Sequence, residues 1–206
     1  MLTINNLSIN YHRSILLNFN YQFQVGQFYQ ITSENYTCQS SFLRAITNIT
    51  PFAKGEVLID EQPYSGAKEK VFFFESCDWF NLNFNSLDYL KFVKHQWQSD
   101  ANLTDELAFL GISEYAKVPI HKYTKAMKQK LLITMYFISG ATYYLMDEIT
   151  NHLDQETCLK VYARLDEEVS EQNKCVIATS HQDSGIEVSN LHKMVFQKQM
   201  IYEVVK

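Results

Sequence analysis

The hydrophobic run Tyr143-Tyr144-Leu145-Met146 ends in two adjacent acids, Asp147 and Glu148. At the carboxyl end of a parallel strand, such an aspartate can hold Mg²⁺, and the glutamate after it can orient or deprotonate an attacking water. Many buried strands end in acids, so the pair alone leaves a purely structural reading open. Two further segments bear on it. Thr150-Asn151-His152-Leu153-Asp154 follows directly, and Val176-Ile177-Ala178-Thr179-Ser180-His181 comes one helix later. A second hydrophobic strand beside the first, ending in histidine, would bring His181 to the same phosphate.

These residues need a scaffold, and hydrophobic periodicity supplies one. Odd positions from Ile15 to Val25 are apolar and most even ones polar, which predicts a half-buried antiparallel strand beside Leu2 to Tyr11. Gln27 to Thr32 reads as a short strand, and a polar loop follows it. From Ser40 the period changes: Phe42, Leu43, Ile46 and Ile49 fall on one helical face that ends before Pro51. Strand, polar loop and helix in that order give the geometry of a phosphate site at a helix N-terminus. Glu56 to Asp60 and Val71 to Phe74 read as strands, and Leu87 to Trp97 and Thr104 to Leu110 as helices. Met127, Leu131, Met135 and Ile138 mark a helical stripe, as do Leu159, Tyr162, Leu165 and Val169. Thr142 to Met146 and Cys175 to Thr179 are buried strands, and a pair near Met194 to Phe196 and Ile201 to Val205 closes the chain. Alternation of strands and helices in the second half predicts a mainly parallel α/β sheet.

A chain of 206 residues is the length of one domain with a sizeable core. Its net charge of -5 argues against a general nucleic-acid binder, which needs a basic excess. The separated cysteines Cys38, Cys77, Cys158 and Cys175 form no C-x-x-C pair and read as reduced thiols. No signal peptide is expected. Leu131 to Met146 is too short and too interrupted to span a bilayer, so a soluble cytoplasmic chain is expected.

The order of motifs resembles the nucleotide-binding subunits of ABC transporters along nearly the whole chain. Tyr11 stands where the family has an aromatic that stacks on adenine. Ser33-Glu34-Asn35-Tyr36-Thr37-Cys38-Gln39-Ser40-Ser41 aligns with the Walker A loop, and Gly55 to Asp60 with the strand that follows it. Tyr123 to Lys130 aligns with the signature motif and its helix. Asp147 and Glu148 match Walker B, Asp154 the D-loop and His181 the switch histidine. The resemblance implies a P-loop NTPase fold of the ABC type spanning residues 1–206. That fold has an N-terminal antiparallel β subdomain and an inserted helical subdomain at about 76–135. It also implies Glu148 and His181 as catalytic, with Tyr11, Asn35, Gln39, Ser40, Ser41 and Asp154 on the nucleotide and Ser40 and Asp147 on Mg²⁺. Thr124, Lys125 and Ala126 would serve the partner's site.

Departures from the family pattern sharpen this expectation. The loop G-x-x-G-x-G-K-[ST]-[ST] closes backbone N–H groups around phosphate and reaches it with lysine. Here its glycine positions are Ser33, Tyr36 and Cys38, and its lysine position is Gln39. A side chain at a left-handed glycine position costs roughly 1 kcal/mol or more. Losing a charge-assisted bond to phosphate costs roughly 1.5–3 kcal/mol. In the signature, Thr124 replaces serine, and Lys125 and Ala126 replace the paired glycines. The glutamine that normally links Mg²⁺ to the transporter contact is absent, its place falling near Glu75 or Ser76, and Ile149 follows Glu148 where a small residue or proline is usual.

Two readings of the loop stay open, a weakened ATP site and a helix N-cap without a ligand. The family's ATP sites are composite, so the pattern of loss predicts a degenerate ATP-binding subunit whose own hold on ATP and Mg²⁺ is poor. It would pair with a second ABC ATPase subunit, as hetero- or homodimer, and sit peripherally at the membrane through a permease. A pseudo-ATPase scaffold is the alternative, and an ordinary ATPase with an unusual loop a third. Trp79, Phe80 and Trp97 suit either a core or the groove that receives the permease. His12, His95, His121 and His192 read as solvent-facing or locally satisfied, and His152 as shaping its turn. Within the family, Gln30-Ile31-Thr32 and Thr179-Ser180-His181-Gln182 resemble the small ATPase of haem-exporter systems in cytochrome c maturation.

Overall fold

The computed structural model describes residues 1–33, 36–50, 53–180 and 188–204, with the side chains of residues 36 and 37 left aside. Its expected Asn35 and His181 therefore lie outside the described residues. The elements run β1 (Leu2–Asn10), β2 (Ser14–Phe23), β3 (Gln27–Thr32), α1 (Tyr36–Ile46), β4 (Ala53–Ile59), β5 (Gln62–Pro63), α2 (Tyr64–Ala67) and β6 (Val71–Phe73). They continue with α3 (Ser86–Gln96), α4 (Leu103–Phe109), α5 (Lys125–Ser139), β7 (Tyr143–Asp147), α6 (Gln155–Ser170), β8 (Cys175–Ser180), β9 (Leu191–Gln197) and β10 (Met200–Glu203).

Among the described residues the strands form two sheets, β2-β1-β4-β5 and β10-β9-β3-β8-β7-β6. The first is antiparallel. In the second, β3, β6, β7, β8 and β9 run parallel and β10 turns back on β9. Central strands covered on both faces read as continuous apolar runs. Tyr143, Tyr144, Leu145 and Met146 are accordingly fully buried, as are Cys175, Val176 and Ile177. Helix α1 packs on the side shared with the antiparallel sheet, where Phe42, Leu43 and Ile46 meet Phe19, Phe23 and Tyr29. Helices α5 and α6 cover the opposite face, with Leu132, Tyr136, Val161 and Leu165 against Tyr144, Met146 and Val176.

Period two fails in the middle of β2. Leu17 is 46% exposed while Leu16 is fully buried. The cause is a register shift against β1, where Asn6 and Asn18 both adopt left-handed φ values of 52° and 46°. Asparagine tolerates that region because its side chain bonds locally. Here the Asn18 amide donates to Ser8 Oγ at 2.9 Å and the Asn6 amide to Asn20 Oδ1 at 2.9 Å. Two helical stripes need similar correction. Ile49 lies beyond the end of α1 and is 52% exposed, and Leu159 is 61% exposed while Val161 fills the buried face.

Residues 76–135 hold α3, α4 and most of α5. Asn85 caps α3 through a reciprocal capping box with Asp88, and Asn102 caps α4. Reciprocal capping satisfies two of the orphan N–H groups at a helix start. Phe80 is buried, Trp79 is half exposed, and Trp97 packs edge-on against Phe72 while its Nε1 donates to Val71 O at 3.3 Å. So Phe80 belongs to the core, Trp79 to the surface and Trp97 to the seam between them.

Candidate functional site

The carboxyl ends of β3, β7 and β8 meet beside the start of α1, because parallel pairing sets Asp147 opposite Thr179 and Thr32 opposite Ser180. In open α/β sheets this edge is where ligands bind. Ser40 Oγ donates to Asp147 Oδ2 at 2.5 Å, and Thr179 Oγ1 donates to Asp147 Oδ1 at 2.6 Å. Both carboxylate oxygens are thus held by hydroxyls. Burial pushes the Asp147 pKa up, and the bonds from Ser40 and Thr179 only partly offset it. A buried carboxylate held above its ordinary pKa, with a hydroxyl against it, is the environment that a hard cation would relieve.

Glu148 follows with φ 47°, a left-handed conformation that no glycine supplies here. Such backbone costs of order 1–3 kcal/mol and persists where surrounding contacts over-determine it. Those contacts are present: the Glu148 amide donates to Thr179 Oγ1 at 3.3 Å, and Asn151 Nδ2 donates to Glu148 Oε2. His152 is left-handed too, at φ 66°, as its turn reading expects. Beneath the turn, Gln129 Nε2 donates to Ile149 O at 2.7 Å, tying it to α5. Asp154 caps α6, accepting from the Thr157 amide at 2.8 Å and from Thr157 Oγ1 at 3.1 Å. These bonds lower its pKa.

Helix α1 begins at Tyr36, four residues before the expected start at Ser40. Positions 36 and 38, where the family has glycine, are therefore wound into helix, and neither Ser33 nor Cys38 takes a left-handed φ. The strain expected from side chains at positions 36 and 38 does not arise, because both are helical. Gln39 is 1% exposed and turns inward, its Nε2 donating to Ser180 O at 2.6 Å and Ile31 O at 3.3 Å. Its Oε1 is buried without a hydrogen-bond partner. Sequence alone gives the loss of charge at this position but not the inward turn, which depends on carbonyls at the ends of two other strands.

A pocket of about 280 Å³ joins Ser40, Asp147 and Glu148 to Glu75, Asp78, Lys125 and Asn151. Glu75, which with Ser76 lies near the place expected for the missing glutamine, is held by the Arg44 guanidinium through two bonds, one of them Nε to Oε2 at 2.6 Å. That pair raises the Arg44 pKa. Arg44 and Thr179 were not singled out from the sequence. Thr179 stood in the quoted strand segment, whereas nothing short-range links Arg44 to Glu75.

Ser41 is half-buried on α1, and Tyr11 is exposed on the β1–β2 turn, edge-on to His12 with ring centroids 4.3 Å apart. Thr124 caps α5 by accepting from the Met127 amide at 3.2 Å. With Thr124 and Lys125 exposed, the start of α5 is open to another molecule. The structure thus brings together Ser40, Asp147 and Glu148, with Lys125 at the far rim. It leaves Tyr11 on a separate wall. Among the described residues no cluster of histidine, cysteine or acid is sufficient by itself to hold a metal. The hard oxygens of Ser40 and Asp147 fit Mg²⁺ only if phosphate and water complete its shell.

The sequence profile of the ABC transporter family matches residues 16–151, more than half of the 206. The chain is 23% identical over 193 residues to the cytochrome c biogenesis ATP-binding export protein CcmA of Reclinomonas americana, covering 90% of this chain and 86% of that protein. An ABC transporter ATP-binding protein from Pyrococcus furiosus superposes with a TM-score of 0.78 at 19% identity, over 95% of this chain and 96% of that one. The bacterial ABC transporter cassette MJ0796, solved as a dimer, gives a TM-score of 0.80 at 16% identity over the whole of both chains. The fold, the motif order and the family profile agree, and the chain belongs to the ABC transporter family as an ATP-binding subunit.

Proposed function

We propose that this chain is the weaker half of a pair of ATP-binding subunits, lending its α5 N-terminus to a competent partner while holding its own nucleotide poorly. The observation that carries this reading is Gln39. A cation that would neutralise phosphate is replaced by a neutral amide, bonded inward to Ser180 O and Ile31 O. A helix start offers N–H groups to an anion, but at α1 no lysine accompanies them. Ser40 and Asp147 would hold Mg²⁺, which supplies charge neutralisation for phosphoryl transfer. Glu148, fixed by Asn151 and Thr179, would orient a water.

Across the pocket from Ser40, exposed Thr124 supports a lent role, since its hydroxyl caps an accessible start of α5. The dimeric form of the superposed cassette favours a second ATPase subunit as partner. No helix among the described residues is long and apolar enough to cross a membrane, so attachment to a permease is the membrane link we assign. Residues 76–135 would form the helical subdomain that meets it. The similarity to CcmA over most of the chain favours an export complex of the cytochrome c biogenesis kind. The pseudo-ATPase scaffold is the second reading, favoured by the Arg44–Glu75 pair, which engages a residue near the position of the usual Mg²⁺-linking glutamine.

Measuring Mg-ATP binding by the purified chain beside the triple variant Tyr36→Gly, Cys38→Gly, Gln39→Lys tests the reading. Weak binding by the natural chain and recovery in the variant are expected. Tight binding by the natural chain contradicts it.

A further inference from the structure

Ionisable side chains also gather at the amino ends of β7 and β8, opposite the carboxyl ends that carry Asp147 and Thr179. Glu168 of α6 is 1% exposed, and both of its oxygens are well served. Its Oε2 accepts from Lys174 Nζ at 2.6 Å and from the Tyr144 hydroxyl at 3.4 Å. Its Oε1 accepts from Arg164 Nε at 2.9 Å and from Gln172 Nε2 at 3.4 Å. Glu106 of α4, 7% exposed, is served far less well. Its Oε1 accepts from Arg164 Nη2 at 3.3 Å, and its Oε2 is buried without a hydrogen bond. Arg164 thus holds an acid of the core with one nitrogen and an acid of the inserted helices with another. Its guanidinium also lies over the rings of Phe109 on α4 and Phe137 on α5, 5.9 and 5.4 Å from their centroids. One cation therefore ties α4, α5 and α6 together.

A carboxylate with one long bond and one orphan oxygen is costly to bury, and a neutral carboxyl in its place costs far less. The charged and titratable groups facing Glu106 are Arg164 and Glu168 on α6, Lys174 before β8, Tyr144 on β7 and, on its own helix, Asp105. Burial pushes the Glu106 pKa up; Arg164 and Lys174 oppose that shift, while Glu168 and Asp105 add to it. Glu168 keeps its donors whatever Glu106 does, so the bond that gives is the one to α4. We propose that Glu106 and Arg164 form a proton-dependent latch between the inserted helices and the sheet core, closed when Glu106 is neutral and loosened when it is charged. Neutral Glu106 still offers Arg164 a carbonyl oxygen. Charged Glu106 reaches water when α4 opens, and Arg164 stays paired with Glu168. An acid whose pKa is raised in the closed state binds its proton more tightly closed than open. Closure is therefore favoured at low pH and weakens as pH climbs through the closed-state pKa. The latch depends on no reading of the nucleotide site.

The test is hydrogen exchange of the α4 amides in the purified full chain at pH 5.5 and pH 8, corrected for the intrinsic pH dependence of exchange. Protection of α4 should be about threefold or more higher at pH 5.5 than at pH 8. Glu106→Gln is neutral at every pH and nearly isosteric. It should raise protection at pH 8 to the level seen at pH 5.5 and remove the dependence. Asp105→Asn, an exposed change on the same helix, should leave the dependence in place. Arg164→Lys keeps the charge without the two-nitrogen reach and should lower α4 protection at both pH values. Equal protection at the two pH values in the natural chain, or a dependence that persists in folded Glu106→Gln, overturns the proposal. Amides of β7 report opening of the whole fold. If Glu106→Gln shifts them as much as it shifts α4, the effect is global and the latch is refuted.

Discussion

Asp147 shows how burial and hydroxyl bonds compete at one residue. Its native pKa is raised from 3.8, so as pH rises the folded chain keeps the proton longer than the unfolded chain does. The stability this group contributes is full at low pH and is lost as pH climbs through the native pKa. Asp147→Asn does not titrate. Its melting temperature should exceed that of the natural chain at pH 8 without Mg²⁺ and converge on it near pH 4, by about 2–4 °C for each kcal/mol of relief. A constant difference across that range would show that burial of the charge is not the cause. Gln39 makes a second prediction at this scale. Gln39→Lys alone places an ammonium where the side chain is 1% exposed and faces two carbonyls. It should lower the melting temperature without restoring tight Mg-ATP binding, because the helix start is unchanged. Thermal melts with and without Mg-ATP decide it.

At the scale of elements, helix starts carry the consequences. Thr124→Ala removes the α5 cap and should cost about 1 kcal/mol in urea unfolding, whereas Thr124→Ser should be nearly neutral. Equal losses in both variants would argue that the methyl, and not the cap, is what matters. The strands were readable because β1, β3, β7 and β8 combine apolar runs with clear ends. Leu17, Ile49 and Leu159 were misplaced for different reasons. A pair of left-handed asparagines reset the register of β2, α1 ended at Ile46, and an apolar residue on α6 simply faces outward. The early start of α1 escaped the periodicity because Tyr36 to Gln39 contain no apolar stripe to count. Of the site, Ser40, Asp147 and Glu148 could be named from spacing. Thr179 could be named only once strand pairing set it beside Asp147, and the Arg44–Glu75 pair only once α1 met the chain after β6.

For the whole molecule, the pattern is an acidic pocket at Ser40 and Asp147, an inward-turned Gln39, and an exposed, capped α5 whose first residue lines that pocket. In a pair of such subunits, the reading assigns turnover to the site completed by this chain's Thr124 and little to the site containing its Glu148. The most direct measurement is ATP hydrolysis by the assembled complex carrying Glu148→Gln or Thr124→Ala in this chain alone, with assembly checked for each. The account predicts that Glu148→Gln keeps turnover within about twofold, while Thr124→Ala lowers it about tenfold or more, the scale of losing one transition-state donor. Loss of turnover in Glu148→Gln, with Thr124→Ala unaffected, would contradict it.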